Sequence, residues 1–251
     1  MFDLRLIRAE VLKLRRRRGM LAIVAGITLG VVALAFGVGA IQHAGNPAKY
    51  GPAGGAASFK DALNVVMLLT IVAGAIVGST AGAQDLESGV FRDLAATGRS
   101  RIALFGARIT GAWAVVLPLA ALSAGAMAGA SVGLAGSLPA PTAAAIMAGT
   151  LGLLATAALS SAAAVGLSAL IGSRGPVIAI VLAFNLAIAQ MLVGISFLGD
   201  VRQALPTVAL ARIAHANADV PTTLGVAIAV TAAWIAAAFA AGAWRTTTRE
   251  I

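Results

Sequence analysis

Residues Leu12–Met20, LKLRRRRGM, hold four consecutive arginines, Arg15 to Arg18, directly against a long apolar run that begins at Met20. Such a cluster is either a nucleic-acid arm or the edge of a membrane span, and the formal net charge of +9 is compatible with both. Composition separates them. Of the 251 residues, 60% are hydrophobic and 11% charged, and the mean hydropathy is +0.96. A soluble domain carries about 25% charged residues. A chain this poor in charge cannot cover its surface with polar groups in water, but it is suited to lipid. No aromatic platform or groove-reading motif accompanies the arginines, so no nucleic-acid partner is expected.

Working outward, the gaps between charges mark six apolar stretches, each long enough to cross a bilayer as a helix. They run from about Met20 to Gln42, Asp61 to Ala83, Arg108 to Leu134, Thr142 to Gly172, Pro176 to Leu198 and Thr222 to Trp244. The sequence therefore predicts an all-α membrane protein, residues 1–251 forming a single domain with six transmembrane helices. The loops alternate in charge. Fourteen Lys and Arg residues fall on the side of the N-terminus and four on the other. Basic loops stay in the cytoplasm, so both termini are expected there, in an inner or plasma membrane. Arg15, Arg16, Arg17 and Arg18 then face anionic lipid headgroups, each basic residue contributing about 1 kcal/mol near the surface.

Residues 1–18 carry a second signal. Leu4, Ile7, Val11 and Leu14 share one helical face, with basic residues on the others. This predicts an amphipathic helix lying in the cytoplasmic interface, its apolar stripe toward lipid. The alternative is a segment that folds only against other protein.

Between the second and third spans lies QDLESGVFRDLAATGRSRIALFGAR, Gln84–Arg108. Leu86, Val90 and Leu94 repeat every four residues, and charges of both signs surround them. The pattern predicts either a solvated loop with an interfacial turn or a short helix, broken by Gly98, that presses on a soluble partner. Within the spans, Gly74, Gly78 and Gly82, then Gly125, Gly129 and Gly133, then Ser160, Ala164, Ser168 and Gly172 form small-residue stripes suited to close helix packing.

In these features the chain resembles the permease subunits of type-2 ABC transporters, a largely export-directed family. The resemblance rests on the basic "elbow" LRLIRAEVLKLRRRRG before the first span, on ESGVFRDLAATGRSRIALFGAR after the second, and on the six-span layout with both termini inside. It implies that residues 84–101 form a coupling loop, with Leu86, Glu87, Val90, Phe91, Arg92 and Leu94 seated on an ATPase. It also implies two permease copies, identical or related, around one pathway. Residues 199–221 are read as an extracellular loop that either lies in the outer interface or dips in as a re-entrant element, and the resemblance favours the latter.

The chain has no G-x-x-x-x-G-K-[ST], so no phosphate-cradling loop. No cofactor is expected in it. ATP and Mg²⁺ would be bound by a separate ATPase dimer. It has no cysteine, and no acid lies in the middle of a span, which argues against an intramembrane enzyme and against proton coupling. A structural or anchoring subunit, or a secondary transporter, is the competing reading. Asn64, Asn185 and Gln190 are the polar candidates for lining a pathway or for interhelical hydrogen bonds. The cargo class left open by an apolar cavity is amphiphilic: drugs or antibiotics, lipid-linked compounds or peptides.

Overall fold

Apolar stretches without internal charge become helices in lipid because every backbone N–H and C=O must bond within its own segment. The computed structural model describes residues 4–90, 100–216 and 220–248, and among these there is no strand. A first helix, α1 (Leu4–Arg16), precedes six helices long and apolar enough to span a membrane. These are α2 (Arg18–Gly45), α3 (Ala56–Glu87), α4 (Arg101–Gly133), α5 (Ala143–Ile171), α6 (Arg174–Gly194) and α8 (Leu224–Thr248). Between the last two lie a 3-10 stretch, Ser196–Ala204, and the short helix α7 (Pro206–Ile213).

Helices α3 and α5 are the centre, with 56% and 61% of their apolar windows buried, against 11% for α8 and 17% for α6. Their seam is made of small residues. A Cβ on Gly74 would overlap Ser160 Oγ, one on Gly78 would overlap the backbone oxygen of Ser161, and one on Gly82 would stand 2.5 Å from Ser168 Cβ. The serines can line so tight a seam because each hydroxyl is satisfied within its own helix. Ser160 donates to Thr156 O at 2.7 Å and Ser168 to Ala164 O at 2.7 Å. The stripe on α4 behaves otherwise. Gly125, Gly129 and Gly133 have no neighbour within 4 Å of an added Cβ among the described residues, so they pack against none of the described helices.

Two of the apolar clusters stand toward opposite ends of the bundle. One, at the arginine-rich end, joins Leu14, Val24, Val77, Phe105, Ile109 and Val165. The other, at the opposite end, joins Phe36, Phe59, Leu63, Met127 and Leu153. Phe105 also meets Phe239 of α8 edge-on at 5.6 Å.

The boundaries differ from the hydropathy reading in a consistent way. At the arginine-rich end α3 continues past Ala83 to Glu87, and α4 begins at Arg101 rather than Arg108. Charge was the signal used to end the spans. The charged residues here are instead paired with one another, so the helices run through them. The fifth span ends early, at Gly194, because Ile195 is extended. The segment after it folds back. Pro206, Val208, Ala209 and Leu210 are buried, and Ala214 packs where Gly152 of α5 leaves room.

Candidate functional site

The arginine-rich end of the bundle is tied by a buried ionic joint that draws on three helices. Asp85, near the end of α3, is 4% exposed. It accepts hydrogen bonds from Lys13 Nζ of α1 at 3.0 and 2.9 Å, and from Arg108 Nη2 of α4 at 3.2 Å. Arg108, 2% exposed, also donates to Gly82 O at 3.3 Å. Lys13 pairs in addition with Glu10 Oε1 at 2.8 Å. The helices come this close because residue 111 is glycine, where a Cβ would lie 2.7 Å from Glu10 Cβ. Glu10 Oε2 is buried and has no hydrogen-bond partner. Burial raises the Glu10 carboxyl above its ordinary value, and Lys13 opposes the shift without cancelling it.

Two further ties surround the joint. Arg174, which opens α6, donates from its backbone N to Glu87 Oε1 at 2.8 Å and from Nε to Glu87 Oε2 at 2.7 Å. Arg101, which opens α4, donates to Thr247 O of α8 at 3.2 Å. The two helix ends that flank residues 91–99 are thus both anchored.

The sequence-derived coupling residues divide. Leu86 is half-buried and Glu87 exposed, and both complete α3 rather than begin a separate helix. Gly89, at φ +75°, turns the chain before Val90, which is exposed. The every-four stripe linking Leu86 to Val90 is therefore interrupted, since a positive φ is not helical. Phe91, Arg92 and Leu94 lie outside the described residues.

The apolar stripe of α1 also divides. Leu14 is 1% exposed and belongs to the protein core, so it does not face lipid as the periodicity suggested. Ile7 and Val11 are half-buried and Leu4 is exposed. The stripe faces α4 at its C-terminal end because Lys13 is pulled onto Asp85. Arg15, Arg16 and Arg18 are exposed, and Arg17 sits at the junction of α1 and α2. Sequence reasoning missed the joint. Its available trace is an acid, Glu10, inside the apolar stripe, together with opposite charges, Asp85 and Arg108, at the facing ends of two spans.

Between the middle of the bundle and the end away from the arginines, the structure brings Asn64 of α3 and Asn185 and Gln190 of α6 together. They line one hollow of about 180 Å³, with Thr207 and Leu210 of α7 across from them. A second hollow of about 230 Å³ adjoins it and shares Ile71, Thr156, Asn185 and Leu210. Its walls are Leu159, Leu167, Ile180, Phe184 and Trp234. Asn185 reaches both because α6 opens into a wider π turn over Phe184–Ile188, a local irregularity frequent at functional positions.

Among known families, the one described as "ABC-2 family transporter protein" fits residues 6–190. The comparison with curated proteins returned no match.

Proposed function

The chain belongs to the ABC-2 transporter family, and from that premise we propose that it forms half of the translocation pathway of an ATP-driven exporter of amphiphilic molecules. It is a multi-pass membrane subunit of an ABC transporter, with no ATP site of its own. In this reading a separate ATPase dimer binds ATP and Mg²⁺ and engages residues 84–101, with Leu86, Glu87, Val90, Phe91, Arg92 and Leu94 as the contact. A second permease copy, identical or related, completes the pathway. The arginine-rich end is cytoplasmic, supported by the fourteen-to-four distribution of basic residues. Residues Leu4, Ile7, Val11 and Arg15–Arg18 hold α1 at the anionic lipid surface.

The observation that carries the reading is the buried joint of Lys13, Asp85 and Arg108. A loop that receives force is useful only if its two roots move as one body. Asp85 and Arg108 stand at those roots, and removing one partner of a buried ion pair costs about 3–5 kcal/mol, so the roots do not separate easily. Lys13 adds α1 to the same body. A displacement of residues 88–100 is then delivered to α3 and α4 together, and α3 lines the cavity through Asn64 and Ile71.

The test is transport in inverted membrane vesicles that contain the chain and its ATPase, with a fluorescent neutral lipid as the probe. ATP-dependent accumulation that survives a proton ionophore and disappears with Asp85→Ala is the expected result. Accumulation driven by the proton gradient without ATP would replace the reading with secondary transport.

A further inference from the structure

We propose that the paired hollows form a binding site for uncharged single-chain amphiphiles, the head held by Asn64, Asn185, Gln190 and Thr207 and the chain against Phe184 and Trp234. The inference deepens the pathway reading and rests on it.

The two hollows differ in the state of their polar atoms. In the larger one the polar groups other than Asn185 are satisfied within the protein. Thr156 donates to Gly152 O at 2.8 Å, Ser160 to Thr156 O at 2.7 Å, and Trp234 Nε1 to Ala204 O at 2.9 Å. What that hollow presents is aliphatic carbon and the faces of two rings, Phe184 and Trp234, 5.9 Å apart. An apolar chain entering it loses water and displaces no hydrogen bond.

The smaller hollow is the reverse. Thr207 Oγ1 is buried and has no hydrogen-bond partner. Asn185 donates through Nδ2 to Val181 O at 2.8 Å, which leaves its Oδ1 as an acceptor. The side chains of Asn64 and Gln190 make no hydrogen bond among the described residues. Two amides and a hydroxyl with open capacity, plus one amide oxygen, converge on a space next to an apolar slot. The buried Thr207 hydroxyl is costly to leave unmet, and a ligand that meets it gains that free energy.

Charge decides the ligand class. Among the described residues no ionisable side chain lines either hollow. An ionic head placed there would be desolvated without a counter-ion. Hydroxyls, amides and esters, which donate and accept without charge, match the amide and hydroxyl set. The slot has room for one chain, since its volume lies below the range of about 300–1,000 Å³ typical of drug-sized pockets.

The experiment uses the full chain in nanodiscs. A monoacylglycerol carrying a diazirine in its chain is photo-crosslinked, and the labelled peptides are located by mass spectrometry. Unlabelled monodecanoylglycerol, decyl sulfate and decyltrimethylammonium compete at matched chain length. Labelling on α6 and α8 around Phe184 and Trp234 is expected, with monodecanoylglycerol at least about tenfold the better competitor. That factor is about 1.4 kcal/mol. Asn185→Leu and, separately, Gln190→Leu should weaken labelling by a similar factor. Gln190 is exposed and bonded to nothing described, so its variant keeps the test open where Asn185→Leu does not fold. Equal or better competition by either ionic probe overturns the ligand class while leaving the pathway reading in place. Labelling spread evenly over lipid-facing residues, unchanged in both variants, overturns the site itself. If ATP-driven transport is also normal in those variants, the pathway reading of this cavity falls with it.

Discussion

Asp85→Ala removes the carboxylate that Lys13 and Arg108 share. Arg108, 2% exposed, keeps its bond to Gly82 O but loses the Asp85 carboxylate, and breaking a buried ion pair by removing one partner costs about 3–5 kcal/mol. The lower end, near 3 kcal/mol, applies here for two reasons. Glu10 remains beside Arg108, and the Lys13 side chain, 32% exposed, can rehydrate. Lys13→Met should cost less, because Asp85 stays paired with Arg108 and the Glu10 carboxyl left without Lys13 can take up a proton. The loss should appear first as undocking of α1, since Lys13 is its tie to α3. The chain has no cysteine, so Leu14→Cys supplies a unique thiol at a position 1% exposed. Maleimide labelling of that thiol should be slow with Asp85 present and many-fold faster with Asp85→Ala, with Lys13→Met in between. Thermal unfolding in detergent should follow the same order. Equal labelling and equal melting in all three backgrounds would mean that the joint holds nothing, and the coupling role built on it would fail.

The glycine seam gives a sharper structural contrast. Gly78→Ala should destabilise by about 1–3 kcal/mol, because the added carbon meets backbone of α5 that cannot move aside, whereas Gly125→Ala should be neutral. Size-exclusion profiles of heated samples distinguish the two. For Glu10, a raised native pKa means that the folded state binds the proton more tightly, so stability falls as pH rises from the ordinary carboxylate value through the raised one. Glu10→Gln should abolish that part of the pH dependence in a melting series, and an unchanged slope would count against it. Phe91→Ala with Leu94→Ala should weaken ATPase association by roughly 2–4 kcal/mol if both are buried at the contact. Normal assembly would place the contact elsewhere, with α1 next in line. Reporter fusions after Ile251 and within residues 45–55 should fall on opposite sides of the membrane.

Much of the fold was legible because lipid imposes one rule on all six spans, and hydropathy reads that rule directly. The seam of α3 was legible too, since Gly74, Gly78 and Gly82 recur at helical spacing. What spacing could not reveal is which stripe finds a partner. Gly125, Gly129 and Gly133 repeat just as regularly and meet no neighbour among the described residues. The joint was hidden for a related reason. Lys13 and Asp85 are 72 residues apart, and their charges read locally as loop and headgroup signals. Gly89 misled in the other direction, because a left-handed turn breaks a stripe without changing its periodicity. Asn64, Asn185 and Gln190 were visible as polar residues in apolar runs. Their convergence depends on the π turn in α6 and on α7 folding back, neither of which has a periodic signature.

The most direct measurement is affinity capture of the full chain from gently solubilised membranes, followed by assay of the captured material for ATP hydrolysis. An ABC ATPase should co-purify in stoichiometric amount, the capture should turn over ATP, and the activity should vanish when the ATPase is washed away. A chain recovered alone at full yield from membranes that contain the ATPase, or one that hydrolyses ATP after the ATPase is removed, would contradict the assignment of energy supply to a separate subunit.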